Sequence, residues 1–344
     1  MRRRDVLRRA KGVRITAFVA VLAMLAAGVL MVPLAGEAQQ AARPVTIGVL
    51  CAGSCLFGPG GGYQPFIDAL ERVGLVQGRT LVLDIGGIVN LEDQIAVEAK
   101  KLISRRPDLI LVWAGNVAAA RAAKDATHSI PIVLMAVPDA VENGLVDSLG
   151  RPGGNVTGMS VPMYDLTIKQ VQVLKEMNPR LKGIVVVQGG LDPAERQMVD
   201  RLRKAAASLQ LDAGISVTDV RNVEQALAAA PAGASAVFGI GNLSTAVYRR
   251  LTVLALERKL PLVRPWRPWV GRGSVTLIAY GPRFSAVAER TAALIDRIVK
   301  GARPRDLPVE EPTSYELIID GVMAKALGLT IPPGVRARAD DVLD

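Results

Sequence analysis

The stretch I-P-I-V-L-M-A (130–136), followed downstream by L-G-R-P-G-G-N-V-T-G-M-S (149–160), decides how the chain is read. Two apolar, strand-like runs, 130–136 and 155–160, are joined through a segment of glycines and a proline. Such a segment is open to four readings: a phosphate-cradling loop, a glycosylation acceptor at Asn155-Val156-Thr157, a surface turn, or a joint between lobes. Amide cradles for phosphate open helices, whereas these glycines open a strand. Glycosylation at this sequon needs a host that the bacterial-type start of the chain does not suggest. A joint remains, with Gly153 and Gly154 free to take backbone angles that other residues resist.

Working outward, short apolar runs alternate with amphipathic stretches. Strands are expected at 45–50, 80–85, 109–113, 130–136 and 155–160, with helices over Gln64–Val73, Leu91–Ser104 and Val117–Ala126. The order then starts again. Strands at 183–187, 215–220, 236–240, 260–264 and 274–280 alternate with helical segments that include Leu166–Met177 and Ala194–Leu209. Near-continuous apolar strands between helices imply parallel sheets covered on both faces. A long helix over Phe284–Lys300 is stopped by Gly301 and Pro304. The fold class expected is therefore α/β, with two doubly wound parallel-sheet lobes meeting near residues 150–165.

The start of the chain reads as an export leader: a basic M-R-R-R-D-V-L-R-R-A-K, an apolar run from about Ile15 to Ala35, and small residues before Gln39. Cleavage is expected after Ala38, with residues 1–38 as the signal peptide. An uncleaved membrane anchor is the alternative, since the run is long enough to span a bilayer. The paired arginines leave the export route open. The leader carries seven basic and two acidic residues, so the formal charge of +10 falls to +5 without it. The remaining cations are scattered among acids with no stripe interleaved with aromatics, which argues against nucleic acid.

Catalytic and cofactor signals are weak. The one histidine, His128, has no G-x-S-x-G partner, and no set of His and Cys suits zinc. The glycines of G-P-G-G-G-Y (58–63) lack dinucleotide spacing, and no Walker A occurs. No catalytic residue, metal or cofactor is expected, and an enzyme on this fold is the third reading. Cys51 and Cys55, the two cysteines, read as structural. In open α/β sheets, ligands sit beyond the carboxyl ends of the strands. The groups that follow those ends are Ser54, Asn116 and Asp139 in the first half, and Gly189, Asp192, Asn242 and Trp266 in the second. These are small, amide, acidic or aromatic groups that suit a polar organic ligand, and each alone would also serve as a cap or turn. Trp266 and Trp269 stand out because aromatics make up 4% of the chain.

Three segments carry a family resemblance: 130–158, Y-G-P-R-F-S-A-V-A-E-R-T-A-A-L-I-D-R-I-V-K-G (280–301) with its continuation to Asp320, and A-K-A-L-G-L-T-I-P-P-G-V-R-A-R-A-D-D-V-L (324–343). Together they resemble the ABC transporter substrate-binding proteins of the tryptophan/tyrosine-uptake-like kind, over essentially the whole mature chain. The resemblance implies a type I periplasmic binding protein fold whose two lobes are joined by a three-crossover hinge. It places the crossings near Gly154–Val161, Tyr280–Pro282 and Pro308–Pro312. Lobe one would comprise 44–157 plus 281–308, and lobe two 158–280 plus 309–344. Hinge residues would be Gly154, Asn155, Tyr280, Gly281 and Pro312. It implies a monomeric periplasmic receptor that closes on a small organic solute, amino-acid-like and in several members aromatic, and hands it to the transmembrane subunits of an ABC permease. A sensor subunit docking on a membrane signalling protein would use the same closure. This chain departs from the family where ligands bind: Asn116-Val117 stands in place of Thr-Pro, Asp139-Ala140 in place of Asp-Pro, and Gln188–Asp192 in place of an Asn-Pro-type loop.

Overall fold

The computed structural model describes residues 43–52, 63–89, 94–113, 115, 117–188, 193–211, 214–219, 222–229, 235–240, 243, 245–264 and 276–344. The expected leader, 1–38, lies outside them. The chain runs β1 (Val45–Ala52), α1 (Tyr63–Arg72), β2 (Leu81–Val89), α2 (Ile95–Ser104), β3 (Leu109–Val112), α3 (Val117–Ala126), β4 (Ile132–Pro138) and β5 (Val156–Val161). It continues with α4 (Met163–Met177), β6 (Gly183–Gln188), α5 (Pro193–Ser208), β7 (Gly214–Asp219), α6 (Val223–Ala229), β8 (Ser235–Ile240), α7 (Thr245–Glu257), β9 (Leu262–Arg264) and β10 (Thr276–Pro282). It closes with α8 (Phe284–Val299), β11 (Val309–Glu310), β12 (Tyr315–Asp320), α9 (Gly321–Ala326), α10 (Pro333–Arg338) and β13 (Asp341–Leu343).

These strands form two sheets. The first has the order β11-β5-β4-β3-β1-β2, and the second β13-β12-β10-β9-β8-β6-β7. Every neighbouring pair of the first sheet is parallel. In the second sheet one pair, β10 with β12, is antiparallel. That exception follows from the path. β10 runs out of the second sheet toward α8, and β12 comes straight back from β11 without a crossover helix, so it must run the other way beside β10. In both sheets strand order reverses at the first strand of the run, between β1 and β3 and between β6 and β8, where a doubly wound sheet opens a crevice.

The strands are apolar without alternation because both faces are covered. In β3, Leu109 and Leu111 join one hydrophobic cluster, while Ile110 and Val112 join another. In β6, Ile184 and Val186 point to the first cluster, while Val185 and Val187 point to a third. The first cluster is continuous across the molecule: it runs from Ile47 and Trp113 through Met159 and Tyr164 to Ile184. Helix α8 packs on α1 and β4 of the first sheet. Trp113, fully buried just beyond β3, anchors that contact. Its ring meets Phe66 edge-on at 5.4 Å and 78°, and lies 6.4 Å from Phe284 of α8. Trp113→Ala removes the wedge between sheet and returning helix and is expected to cost about 3–5 kcal/mol, read as a lowered denaturant midpoint.

Strand β5 pairs with β4 along its length, from Val156 opposite Ile132 to Val161 opposite Pro138. The chain therefore leaves the first sheet after Val161. Of the two glycines expected to take special angles, Gly153 has φ +88°, while Gly154 stays outside the left-handed region. The demanding glycine is Gly158, inside the strand.

Candidate functional site

Near the end of β4 the pairing with β5 slips by one residue between Leu134 and Val137. Ala136 takes up the extra residue in the left-handed region, with φ 56°, and its carbonyl accepts from Gly115 N at 3.0 Å. Asp139 follows, again left-handed with φ 43°. Two non-glycine residues in that region within four positions carry strain of order 1 kcal/mol or more each, and such strain collects where a chain positions a site. The bulge re-aims the strand end, and a net of hydrogen bonds then fixes it. Asp139 N donates to Val161 O at 2.9 Å, Asn143 N donates to Asp139 O at 2.9 Å, and Asn143 Nδ2 donates to both Pro138 O and Asp139 O. Ala140 N donates to Ser160 Oγ at 3.0 Å.

Asp139 is buried, at 6% exposure. Its Oδ2 accepts from Tyr164 N, in the first turn of α4, at 3.3 Å. That amide is one of the donors a helix start leaves over. The carboxyl group at the end of β4 thus reaches across the passage to the first helix of the second half. Among the described residues this is its one hydrogen-bond partner. Burial raises the Asp139 pKa to about 7 against the pull of the Tyr164 amide; Glu142 and Asp165 raise it further, and Arg201 opposes them. Tyr164 itself is buried, and its hydroxyl donates to Gln197 Oε1 at 3.0 Å. The Arg201 guanidinium sits 4.2 Å over its ring. Burial first, then the Asp139 charge, pushes the Tyr164 phenol up to about 12.

The other two passages lie close by. Gln170, two turns along α4, donates from Nε2 to Tyr280 O at 2.7 Å and to Arg264 O at 3.5 Å, holding the ends of β10 and β9. Gly281 pairs with Glu316 across the antiparallel junction. On the third passage Thr157 Oγ1 donates to Leu307 O at 2.9 Å, and Arg290 holds Glu310 through two 2.7 Å contacts. Partial burial, then Glu142 and Asp165, raise the Glu311 pKa. The passages thus carry an acidic patch built from three separate segments.

Of the residues singled out in the sequence, Asp139, Tyr280, Gly281 and Pro312 stand at or beside the passages. Gly154 and Asn155 stand elsewhere, at the opposite end of β5 from Val161. There Asn155 Nδ2 donates to Thr127 O and Ile130 O, at 3.0 and 2.7 Å, and locks the entry of the strand. Ser54, Asn116, Gly189, Asp192, Asn242 and Trp266, with Trp269, lie outside the described residues. Tyr164, Gln170, Ser160 and Arg201 went unnoticed in the sequence, because each is a contact between segments distant in the chain. Cys51, at the end of β1, is disulfide-bonded; Cys55, the other cysteine of the sequence, lies outside the described residues. Among the described residues no group of three or more His, Cys, Asp or Glu is placed to hold a metal, and no helix is long and apolar enough to cross a membrane.

Residues 61–343 match the family described as ABC transporter substrate binding protein. The chain belongs to that family. This substrate-binding protein is 30% identical over 268 residues to the tyrosine-binding protein of Clostridioides difficile strain R20291, spanning 77% of this chain and 75% of that protein. Among solved structures, it resembles an ABC domain from Streptococcus pneumonia in complex with L-Trp, with a TM-score of 0.72 at 22% identity over 88% of this chain and 100% of that one. It also resembles a conserved domain protein from Vibrio cholerae, with a TM-score of 0.74 at 25% identity over 87% of this chain and 100% of that one. The two mostly parallel α/β sheets are the type I periplasmic binding protein architecture shared with these neighbours. Members of the family are binding proteins, and substrate-binding proteins of ABC transporters work outside the cytoplasm.

Proposed function

We propose that this chain is the receptor of an ABC importer that closes its two sheets around an aromatic amino acid and delivers it to the transmembrane permease subunits. It is exported by a leader cleaved after Ala38, and it works as a monomer in the periplasm. The observation that carries the reading is the buried carboxyl group of Asp139, held at the passage between the two sheets with Glu142, Asp165 and Glu311 nearby. An acidic, partly desolvated patch favours a cation, and the α-ammonium of an amino acid supplies one. The tyrosine-binding relative and the L-Trp complex point to the same solute class. Ser54 and Asn116 would share the first-half side of the ligand with Asp139. Gly189, Asp192, Asn242 and Trp266 would meet it from the second, with an indole ring suited to stacking on an aromatic side chain.

Closure is driven by contacts that exist only when both halves touch the solute. Gly281 and Pro312, on the second and third passages, are the hinge positions. Mass spectrometry of solute released from the purified exported protein tests the assignment. An amino acid is expected, and a sugar or a phosphorylated compound would contradict it.

A further inference from the structure

Helix α5, which packs on β6 and β7 of the second sheet, sends a cation toward the acidic passage. Gln197 and Arg201 lie four residues apart on one face of that helix, and both reach Tyr164 of α4. The Tyr164 hydroxyl donates to Gln197 Oε1 at 3.0 Å and also bonds the Asn143 side chain. Its amide donates to Asp139 Oδ2 at 3.3 Å. Tyr164 therefore spans the 139–143 segment, with its amide on Asp139 at one end and its hydroxyl on Asn143 at the other. The Arg201 guanidinium carbon, 4.2 Å over the centre of the ring, is thereby held beside that segment. Beyond Arg201 the seam between α4 and α5 opens into a cavity of about 330 Å³ lined by Ile168, Arg201, Lys204, Ala205 and Ser208. The half-buried guanidinium thus keeps a wet side and its full charge. Charges reach Asp139 from each element around it: Glu142 from the turn after β4, Asp165 from the first turn of α4, and Arg201 from α5. Glu311, on the third passage, acts on Glu142 and Asp165. Burial is the largest influence on the Asp139 acid; of the charges, Glu142 and Asp165 raise its pKa and Arg201 lowers it.

We propose that Arg201 is a positioning residue of the solute site: α5 lays its guanidinium on Tyr164 so that the second half of the molecule keeps Asp139 of the first half as the anion that meets the solute. The proposal rests on the reading above that Asp139 pairs with a solute ammonium, and it deepens that reading. Geometry comes first. The guanidinium is fixed by an aromatic face rather than by a carboxylate, so its charge is placed without being neutralised. Electrostatics comes second. A buried carboxyl group with two acids around it favours its neutral form, and a fixed cation nearby opposes that. The same cation also repels an arriving ammonium. The two effects have different pH dependence. Once Asp139 is fully ionised only the repulsion is left, whereas around and below pH 7 the help to ionisation dominates. Arg201 therefore extends solute binding toward lower pH at the expense of some affinity at high pH, a balance that a purely structural contact does not produce.

The first arm of the test needs no solute. Carboxyl ¹³C NMR of the full-length protein labelled at aspartate Cγ follows the titration of Asp139, with Asp139→Asn identifying its signal. In Arg201→Gln the midpoint is expected to move to higher pH, and in Arg201→Lys, which keeps the charge, to return toward the wild type. The second arm is calorimetric titration of the wild type and both variants with L-tyrosine and L-tryptophan from pH 8.5 to pH 6. Melting temperatures are recorded alongside. At pH 8.5 Arg201→Gln is expected to bind at least as tightly as the wild type. Between pH 8.5 and pH 6 its affinity relative to the wild type is expected to fall roughly fivefold or more, while that of Arg201→Lys stays within about twofold. An Asp139 titration unmoved by Arg201→Gln overturns the proposal. So does an affinity ratio that stays constant across the pH range, the pattern of a merely structural contact. A wild type that binds neither amino acid, or binds them without pH dependence while the Asp139 titration still moves, overturns the solute reading instead, and with it the role of Arg201 in binding.

Discussion

Gly158→Ala is expected to leave little or no folded protein. At this position φ is +129°, and a Cβ would stand 2.2 Å from Leu134 O, 2.4 Å from Leu134 N and 2.8 Å from Leu134 Cα. All three are backbone atoms of the neighbouring strand, so no side chain can swing aside. Gly158 is paired with Leu134 on one side and Val309 on the other, in a strand of the first sheet flanked on both sides. Making room would separate β4 from β5 just before the bulge that aims Asp139. The cost of such a clash exceeds the roughly 4–5 kcal/mol that marks an exceptional substitution, comparable with the whole stability of many domains. Soluble yield and far-ultraviolet circular dichroism check this, and a Gly158→Ala protein melting like the wild type would refute the placement of that backbone. Gly153→Ala, in the loop that leads into the same strand, is the control. A Cβ there meets the Asp147 carboxylate, which can move, although φ +88° still carries strain.

Asp139→Asn is expected to separate stability from binding. The pKa of the acid rises from 3.8 to about 7 in the folded protein, so between those values the folded chain holds a proton that the unfolded chain releases. Its contribution to stability is complete below about pH 4 and is lost as pH rises through about 7. Asparagine keeps an oxygen for the Tyr164 amide and carries no charge. At pH 8 the variant should therefore melt on the order of 5 °C above the wild type, and at pH 4 the two should converge. Binding runs the other way. A solute ammonium needs the ionised carboxylate, so wild-type affinity should fall by up to about tenfold per pH unit below 7. The variant should bind roughly tenfold or more weaker at pH 8 and lack that pH dependence. A variant of unchanged affinity would reduce Asp139 to a helix cap.

The strands and their covering helices are legible in the sequence because buried parallel strands leave long apolar runs, as in 109–113, 130–136 and 183–187. The antiparallel β12 is not, since direction depends on where the chain returns from rather than on the composition of Y-E-L-I-I-D. Glycine marked the joint at 149–154, yet the residue whose lack of a side chain the fold requires is Gly158. Its need arises from the Leu134 backbone, twenty-four positions earlier. Asp139 was legible as a polar group after a strand. Its link to Tyr164 N was not, because only the folded chain brings a helix start within 3.3 Å of it. Asn155 shows the converse: a residue beside the glycines, read as hinge, that anchors the amino end of β5.

On the proposed function, an aromatic amino acid binds between the two sheets of this protein. Isothermal titration of the purified wild type with L-tyrosine and L-tryptophan at pH 8 tests it most directly. One solute molecule per chain, with a dissociation constant in the micromolar range or tighter and weakening as pH falls below 7, is the predicted result. Absence of binding to either amino acid at millimolar concentration would contradict it.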